Sequence, residues 1–234
     1  MESKNGFSFC IITDGKDPQK TFQEIRSIRA LGIPQHEILI GGECAAFEDA
    51  DLGLMMPELA RAGRLGAMRN ALCAKACFDQ IIVADDDLLF HGDFYDGFLK
   101  FGSQFDIASC KILNPDGTRY WDWKTYEKGV NTLLGYEQIS PLVSLSGTFC
   151  MMKREVFKLV QWDPIRTFYQ EEDVDFSIRL KIQGIKIVFN PYSTITHNDE
   201  RYTQSGRHIL IRNREELMLR KWFGCFLERG YSAQ

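Results

Sequence analysis

The chain opens on a run of apolar, aromatic and β-branched residues, Phe7 to Thr13 (FSFCIIT), of the kind that forms a strand covered on both faces in a parallel sheet. A helical period follows. Asp17 then Pro18 is an N-cap with proline at the first helical position, Phe22, Ile25 and Ile28 mark an apolar face, and Gly32 is a stop. Glu37 to Ile40 (EILI) predicts the next strand. After a loop rich in glycine and acids, Arg64 to Phe78 places Leu65, Met68, Leu72 and Ala76 on one helical face, and Gln80 to Ala84 (QIIVA) predicts a third strand. Strand, helix, strand, helix, strand is a parallel α/β beginning.

The pattern changes in the second half. Phe105 to Cys110 and Leu145 to Met152 predict strands, whereas residues 111–143 carry turn residues and aromatics without a period, as a substrate-facing insertion would. Helices are expected over Lys153 to Val160 and over Asp173 to Gln183, the second stopped by Gly184, with a late strand over Lys186 to Phe189 and a turn at Pro191. Glu215 to Arg229 is amphipathic. No repeat, low-complexity tract or linker interrupts the chain, so one domain is expected over residues 1–234. Within it, the economical reading expects a nucleotide-binding half over residues 1–104, an acceptor and catalytic half over 105–206 and a helical tail over 207–234.

Composition adds mostly exclusions. A hydrophobic fraction of 44% and a charged fraction of 26% are those of an ordinary soluble protein. Twenty-eight Lys+Arg against 32 Asp+Glu leave a net charge of −4, without the basic field that collects nucleic acid. The seven cysteines are odd in number and sit mostly in apolar runs such as FSFCII and SGTFCMM, so they read as reduced core residues. Cys73 and Cys77 share a helical spacing, but no second Cys or Cys/His pair completes a zinc site. The first residues lack a basic region before a long apolar stretch, and no run reaches the roughly 18 apolar residues of a membrane span. A cytoplasmic protein is expected.

The sharpest local signal is Asp85-Asp86-Asp87, placed between QIIVA and Leu88-Leu89-Phe90. In open α/β sheets ligands collect at the carboxyl ends of strands, and three carboxylates crowded there repel unless a cation neutralises them. Hard ions such as Mg²⁺ or Mn²⁺ that share oxygens with a diphosphate suit that setting; a solvated acidic turn is the plainer reading. A second cluster, Glu171-Glu172-Asp173-Val174-Asp175, leads into a helix. Capping of the helix dipole accounts for one or two of these acids, but four in five residues beside Tyr169 exceed it. His197 follows the late strand; a lone histidine is more often structural.

These signals, in this order, resemble family-two glycosyltransferases of the GT-A fold, a Rossmann-like α/β architecture with a mostly parallel sheet flanked by helices and a smaller acceptor-side sheet. FSFCIITDG is similar to the family's first strand, and RNALCAKACFDQIIVADDDLLF to its Arg-Asn helix and Asp-x-Asp strand. SLSGTFCMMKREVF is similar to its acceptor-side strand, and EEDVDFSIRLKIQGIKIVFNPYSTITH to its Glu-Asp helix, late strand and histidine. Gly41-Gly42-Glu43 departs from the pattern, standing where many members carry an aspartate.

The resemblance implies a metal-dependent, inverting transfer of sugar from a nucleotide-diphosphate donor, expected to be a UDP-sugar, to a saccharide or lipid-linked glycan. It implies that Asp85 contacts ribose or metal, that Asp87 and His197 ligate Mn²⁺ or Mg²⁺, and that Asp86, the middle position, lies with Asp85 in the nucleotide site. Asp173 is implied as general base beside Glu172, with Thr13, Asp14, Arg69 and Asn70 lining the nucleotide pocket. Gly147 would let the acceptor-side backbone approach the sugar, or else mark a strand bulge. Trp121 and Trp123, in the dense aromatic stretch from Arg119 to Tyr126, and Tyr169 are expected to cover the acceptor or to anchor loops on the core. Asp122 or Arg119 could bind sugar hydroxyls, and Trp162 could flank the acceptor or anchor the core.

The basic and aromatic residues of the tail, from Arg207 to Arg229, suit either peripheral contact with an anionic membrane or a packed helix. Two rivals stand beside the transferase. A sugar-phosphate nucleotidylyltransferase would carry a Gly-rich, Arg-containing loop after the first strand, where Thr13 to Pro18 has a single glycine. A non-catalytic sugar-nucleotide binding module would not turn its ligand over.

Overall fold

The computed structural model describes residues 5–43, 47–127, 130–167 and 170–200. Tyr169 and the tail from residue 207 lie outside them, so the expectations placed there have no structural counterpart. In chain order the elements are β1 (Phe7–Thr13), α1 (Pro18–Arg29), β2 (His36–Gly42), β3 (Leu52–Met55), α2 (Pro57–Arg61), α3 (Leu65–Lys75), β4 (Gln80–Asp85), β5 (Leu88–Phe90) and α4 (Phe94–Phe101). Then come β6 (Ile107–Leu113), β7 (Lys124–Glu127), β8 (Val130–Leu133), β9 (Val143–Ser144), β10 (Phe149–Lys153), α5 (Arg154–Leu159), α6 (Glu172–Ile182) and β11 (Ile187–His197).

Eight strands form one sheet in the order β3-β2-β1-β4-β10-β6-β11-β5, and β8-β7-β9 form a small antiparallel one. The first four strands are parallel, β10 runs against both of its neighbours, and β6 with β11 is parallel again. The alternation in β1 explains why both faces are covered. Phe7, Phe9 and Ile11 enter one core cluster with Ile25 and Ile28 of α1 and Phe94 of α4, while Cys10 and Ile12 enter another with Met68 and Leu72 of α3 and Phe176 of α6. Four of the five described cysteines, Cys10, Cys73, Cys110 and Cys150, are buried free thiols.

The link between β4 and β5 shapes the molecule. Only Asp86 and Asp87 separate the two strands, yet β5 is the far edge of the sheet, four positions from β4. A flat sheet would put those strands about 19 Å apart, at ~4.8 Å per step. Three residue steps of chain reach about 11 Å at most. The sheet must therefore curl until its edge meets the end of β4, and the acidic turn sits at that closure. The outer side of β5 is covered by α1: Leu88 N donates to Glu24 Oε2 at 3.2 Å and Phe90 N to Ser27 Oγ at 3.1 Å.

Several expectations are revised. The strand expected over Leu145 to Met152 begins only at Phe149, as β10 of the large sheet; β9 of the small sheet ends at Ser144, and residues 145–148 carry the chain from one to the other. Residues 111–143, whose letters carry no period, hold the end of β6 and the β7–β8 hairpin. The late strand does not stop at Pro191. It bulges between Asn190 and Thr194 and continues to His197, proline being tolerated at a bulge where the ladder is already broken. On α1, Phe22 is only half-buried against Phe47, and Thr21 and Glu24 take the buried positions beside Ile25 and Ile28. Among the described residues no helix is long and apolar enough to cross a membrane.

Candidate active site

The closure of the sheet brings the acidic turn against the end of β11. Leu88 pairs with His197 across the β5–β11 ladder, and Asn198 N donates to Asp87 O at 2.7 Å, so the two segments are stitched together by backbone. Asp87 Oδ1 lies 3.4 Å from His197 Nε2. Asp199 completes the group: one ligand atom from each of Asp87, His197 and Asp199 falls within 4.8 Å of the others. Tyr120 stacks on the His197 ring at 4.4 Å between centroids, which fixes the imidazole plane. Two carboxylates and an imidazole, closely spaced and largely buried, are a donor set that suits a divalent ion such as Mn²⁺.

The other two aspartates of the turn point elsewhere. Asp86 accepts a hydrogen bond from Thr13 Oγ1 at the end of β1. Burial pushes its carboxyl up to about 7 despite that bond, with Asp87 and Asp85 adding to the rise. Asp85 is pushed up to about 6, again by burial first, with Arg69 opposing the shift and Asp87 reinforcing it. Glu24, fully buried behind the turn, is raised well above the carboxylate range by burial, and the three aspartates add to that rise. The turn is thus electrostatically loaded, and added positive charge relieves it.

Arg69 of α3 joins this cluster to the second. Its fully buried guanidinium donates from Nη2 to Asp85 Oδ1 at 3.1 Å and to Gly147 O at 2.8 Å, and from Nη1 to Glu172 Oε1 at 3.2 Å. Burial works against its charge, but Asp85 and Glu172 outweigh it and raise its pKa. Gly147 lies in the middle of this arrangement: a Cβ there would come within 3.2 Å of Glu172 Oε1 and 3.6 Å of the Asp173 Cβ. Asp173, next along α6, accepts from Lys124 Nζ at 2.9 Å. Asp175 is turned away, engaged by Arg179 at 2.6 Å and Arg166 at 3.2 Å. Glu171 enters the helix with φ 58°, the one non-glycine residue at positive φ among those described.

Arg69, Asp85, Gly147, Glu172 and Asp173 therefore converge, with Asp87 in the same turn as Asp85 and His197 brought against it at the end of β11. Other expected residues are placed differently. Asn70 spends its amide on the backbone of Trp162, donating to O at 2.8 Å and accepting from N at 3.1 Å. Trp162 itself is buried and stacked on Phe176 at 3.9 Å. Asp14 lies at the surface, paired with Lys16. Asp122 is fully buried and accepts from Arg119, Ile112 N, Trp123 N and Tyr136, so both it and Arg119 anchor the insertion rather than offering groups to a sugar. Trp121 is 39% exposed. Trp123 is buried and lines a cavity of about 620 Å³ toward the far end of α6, with Tyr136, Phe189 and Lys181, to which neither acidic cluster contributes.

Three residues were missed. Asp199 stands two places beyond His197, and that spacing was a usable signal. Glu24 falls on the buried stripe of Thr21, Ile25 and Ile28, where a charged letter concealed a core position. Lys124 had no local signal at all, since its contact spans 49 residues.

The family described as "Glycosyltransferase like family 2" matches residues 46–218. The chain belongs to that family. No curated protein sequence matches it. Among solved structures, this family-2 chain is similar to TarS of S. aureus, residues 1–349, with 14% identity and a TM-score of 0.57 over 81% of this chain and 60% of that one. It is similar to GalNAc-T7 solved with UDP, GalNAc and Mn²⁺, with 16% identity and a TM-score of 0.63 over 88% of this chain and 45% of that one. The catalytic domain of Drosophila β1,4-galactosyltransferase 7 in complex with xylobiose matches with 16% identity and a TM-score of 0.54 over 85% and 72%. The chain thus spans 60% of the TarS fragment and less than half of GalNAc-T7. At these identities the likeness is one of fold, the GT-A fold of a mostly parallel curled sheet with a small second sheet.

Proposed function

We propose that this family-2 protein is a metal-dependent, inverting glycosyltransferase that moves a sugar from a UDP-sugar to a hydroxyl of a saccharide or glycoconjugate. The observation that carries the reading is the pair of acidic clusters bridged by the Arg69 guanidinium, one holding the Asp87, His197 and Asp199 donor set and the other presenting Asp173. The neighbours lend support: TarS has been solved with UDP-GlcNAc, GalNAc-T7 with UDP, GalNAc and Mn²⁺, and a Drosophila β1,4-galactosyltransferase 7 variant with manganese, UDP-Gal and xylobiose.

In this reading Asp87, His197 and Asp199 hold the cation, and Thr13 and Asp86 stand at the adjoining strand ends. A divalent cation bound there supplies positive charge opposite a departing diphosphate. Arg69 bonds Glu172, opposes the rise of the Asp85 carboxyl and fixes the Gly147 carbonyl, so the two halves of the site stay in register. Asp173 takes the proton of the acceptor hydroxyl as that oxygen attacks the anomeric carbon. A double displacement would need a nucleophilic carboxylate at that carbon. Asp175 is bound to Arg166 and Arg179, and Glu172 to Arg69, which favours a single inverting step.

The test uses water as acceptor. UDP-GlcNAc, UDP-Gal and UDP-GalNAc are each incubated with the protein and Mn²⁺, and the released sugar is followed by proton NMR before it mutarotates. Slow hydrolysis that gives the anomer opposite to the donor, and stops with a chelator, is expected. Release with retained configuration, or unchanged turnover without metal, overturns the mechanism.

A further inference from the structure

Lys124 is where the inserted hairpin meets the second acidic cluster. Its side chain is 6% exposed, and its Nζ lies 2.9 Å from Asp173 Oδ2. Among the described residues Asp173 is its ion-pair partner, and a buried ammonium needs one. The other oxygen, Asp173 Oδ1, accepts from Val174 N at 2.9 Å, so the carboxylate is held at both ends. The backbone that delivers Lys124 is itself fixed: its register partners are Leu133 on β8 and Ser144 on β9, and the residues before it are anchored by buried Asp122. Arg69 balances Asp85 and Glu172 but makes no bond to Asp173. Without Lys124, Asp173 would be a carboxylate next to Glu171 and Glu172, held only through Oδ1 by Val174 N and with no cation on its other oxygen.

We propose that Lys124 is the positioning residue of the Asp173 base: the inserted hairpin carries an ammonium into the site that clamps the carboxylate beside Gly147, so the insertion is part of the catalytic apparatus rather than only an acceptor cover. This rests on Asp173 being the base. Clamping one rotamer matters because a base must lie within hydrogen-bond reach of the proton it takes, and small misplacements of such groups cost orders of magnitude in rate.

The test is a double-mutant cycle of Lys124→Met and Asp173→Asn, with turnover of the UDP-sugar, Mn²⁺-UDP affinity and melting temperature read for each variant. Lys124→Met is expected to lower kcat about 10- to 100-fold, below the ~10²–10⁴-fold ceiling of a general base, while donor affinity stays within about twofold. In the Asp173→Asn background the same change should cost less than about twofold in kcat, and the double variant should melt above Lys124→Met because no charge is left alone. Lys124→Gln, which keeps a donor in a shorter side chain, gives the same comparison if Lys124→Met does not fold.

Equal kcat losses in both backgrounds, or a lowered melting temperature with normal kcat, overturn the Lys124 assignment while leaving the base intact. Near-normal turnover in Asp173→Asn alone overturns the base itself, and the Lys124 assignment with it.

Discussion

Arg69→Met is the perturbation with the largest worked consequence. The side chain is fully buried, and its three hydrogen bonds of 3.1, 3.2 and 2.8 Å tie α3 to the end of β4, the start of α6 and the Gly147 turn. Methionine fills comparable volume but leaves Asp85 and Glu172 facing each other without a cation. Removing one partner of a buried ion pair costs about 3–5 kcal/mol, chiefly from the charge left behind. For a domain of 150–250 residues each kcal/mol moves Tm by about 2–4 °C, so a fall of about 6–20 °C is expected at pH 8.

The deficit should shrink at low pH. Asp85, already pushed up to about 6 with Arg69 opposing the shift, takes up a proton more readily once the guanidinium is gone, and a neutral acid needs no counter-charge. Arg69→Lys keeps a charge but not the fork that reaches two carboxylates, so it should fall between wild type and Arg69→Met. Chemical denaturation at pH 5 and pH 8, with calorimetric UDP binding in parallel, reads all of this. A loss below about 1 kcal/mol at pH 8, or the same loss at both pH values, would refute the bridging role.

Two further outcomes follow from the loaded turn. In metal-free protein the carboxyls of Asp85 and Asp86 bind protons more tightly when folded than when unfolded, as buried Glu24 does too, so the contribution of the two aspartates to stability is full below about pH 4 and is lost as pH rises through about 6 and 7. Melting curves should therefore show the apo protein losing stability between pH 5 and pH 8 and regaining it with Mn²⁺; a flat apo profile would contradict the crowding. Glu24→Gln should be tolerated within about 1 kcal/mol, since a neutral amide oxygen still accepts from Leu88 N, whereas Glu24→Leu orphans that donor at about 1–3 kcal/mol. Equal Tm losses for the two variants would sink the hydrogen-bond account.

Local chemistry made the first half of the fold legible. β1 occupies the residues read for it, Asp17 caps α1 through Lys20 N, and Gly184 at φ 73° closes the turn after α6. The glycine pair Gly41-Gly42 also acquires a physical reason: Gly42 has φ 130°, and a Cβ on it would lie 1.9 Å from Thr13 O. What stayed hidden was set by distance along the chain. The three residues of β5 are too few for a period, and their place at the sheet edge follows from the curl, not from LLF itself. All four residues of β8 are exposed, so no alternation marks them. Arg69 was expected in the pocket, but that it bridges both clusters needed contacts 16 and 103 residues apart. The aromatic stretch around Trp121 looked like a sugar platform because its letters suit one. Trp123 and Asp122 are buried, which suits the anchoring alternative that the same letters carry.

The central claim is that the Asp87 cluster binds a cation and, through it, the nucleotide, while Asp173 does neither. Calorimetric titration of UDP into wild type, Asp87→Asn and Lys124→Met/Asp173→Asn, each with Mn²⁺ and with chelator, tests it most directly. The account predicts UDP binding only with Mn²⁺, at least tenfold weaker in Asp87→Asn, where a neutral amide replaces an anionic ligand, and within about twofold of wild type in the double variant, which leaves no unpaired lysine. UDP affinity that is the same without metal and unchanged in Asp87→Asn would contradict it.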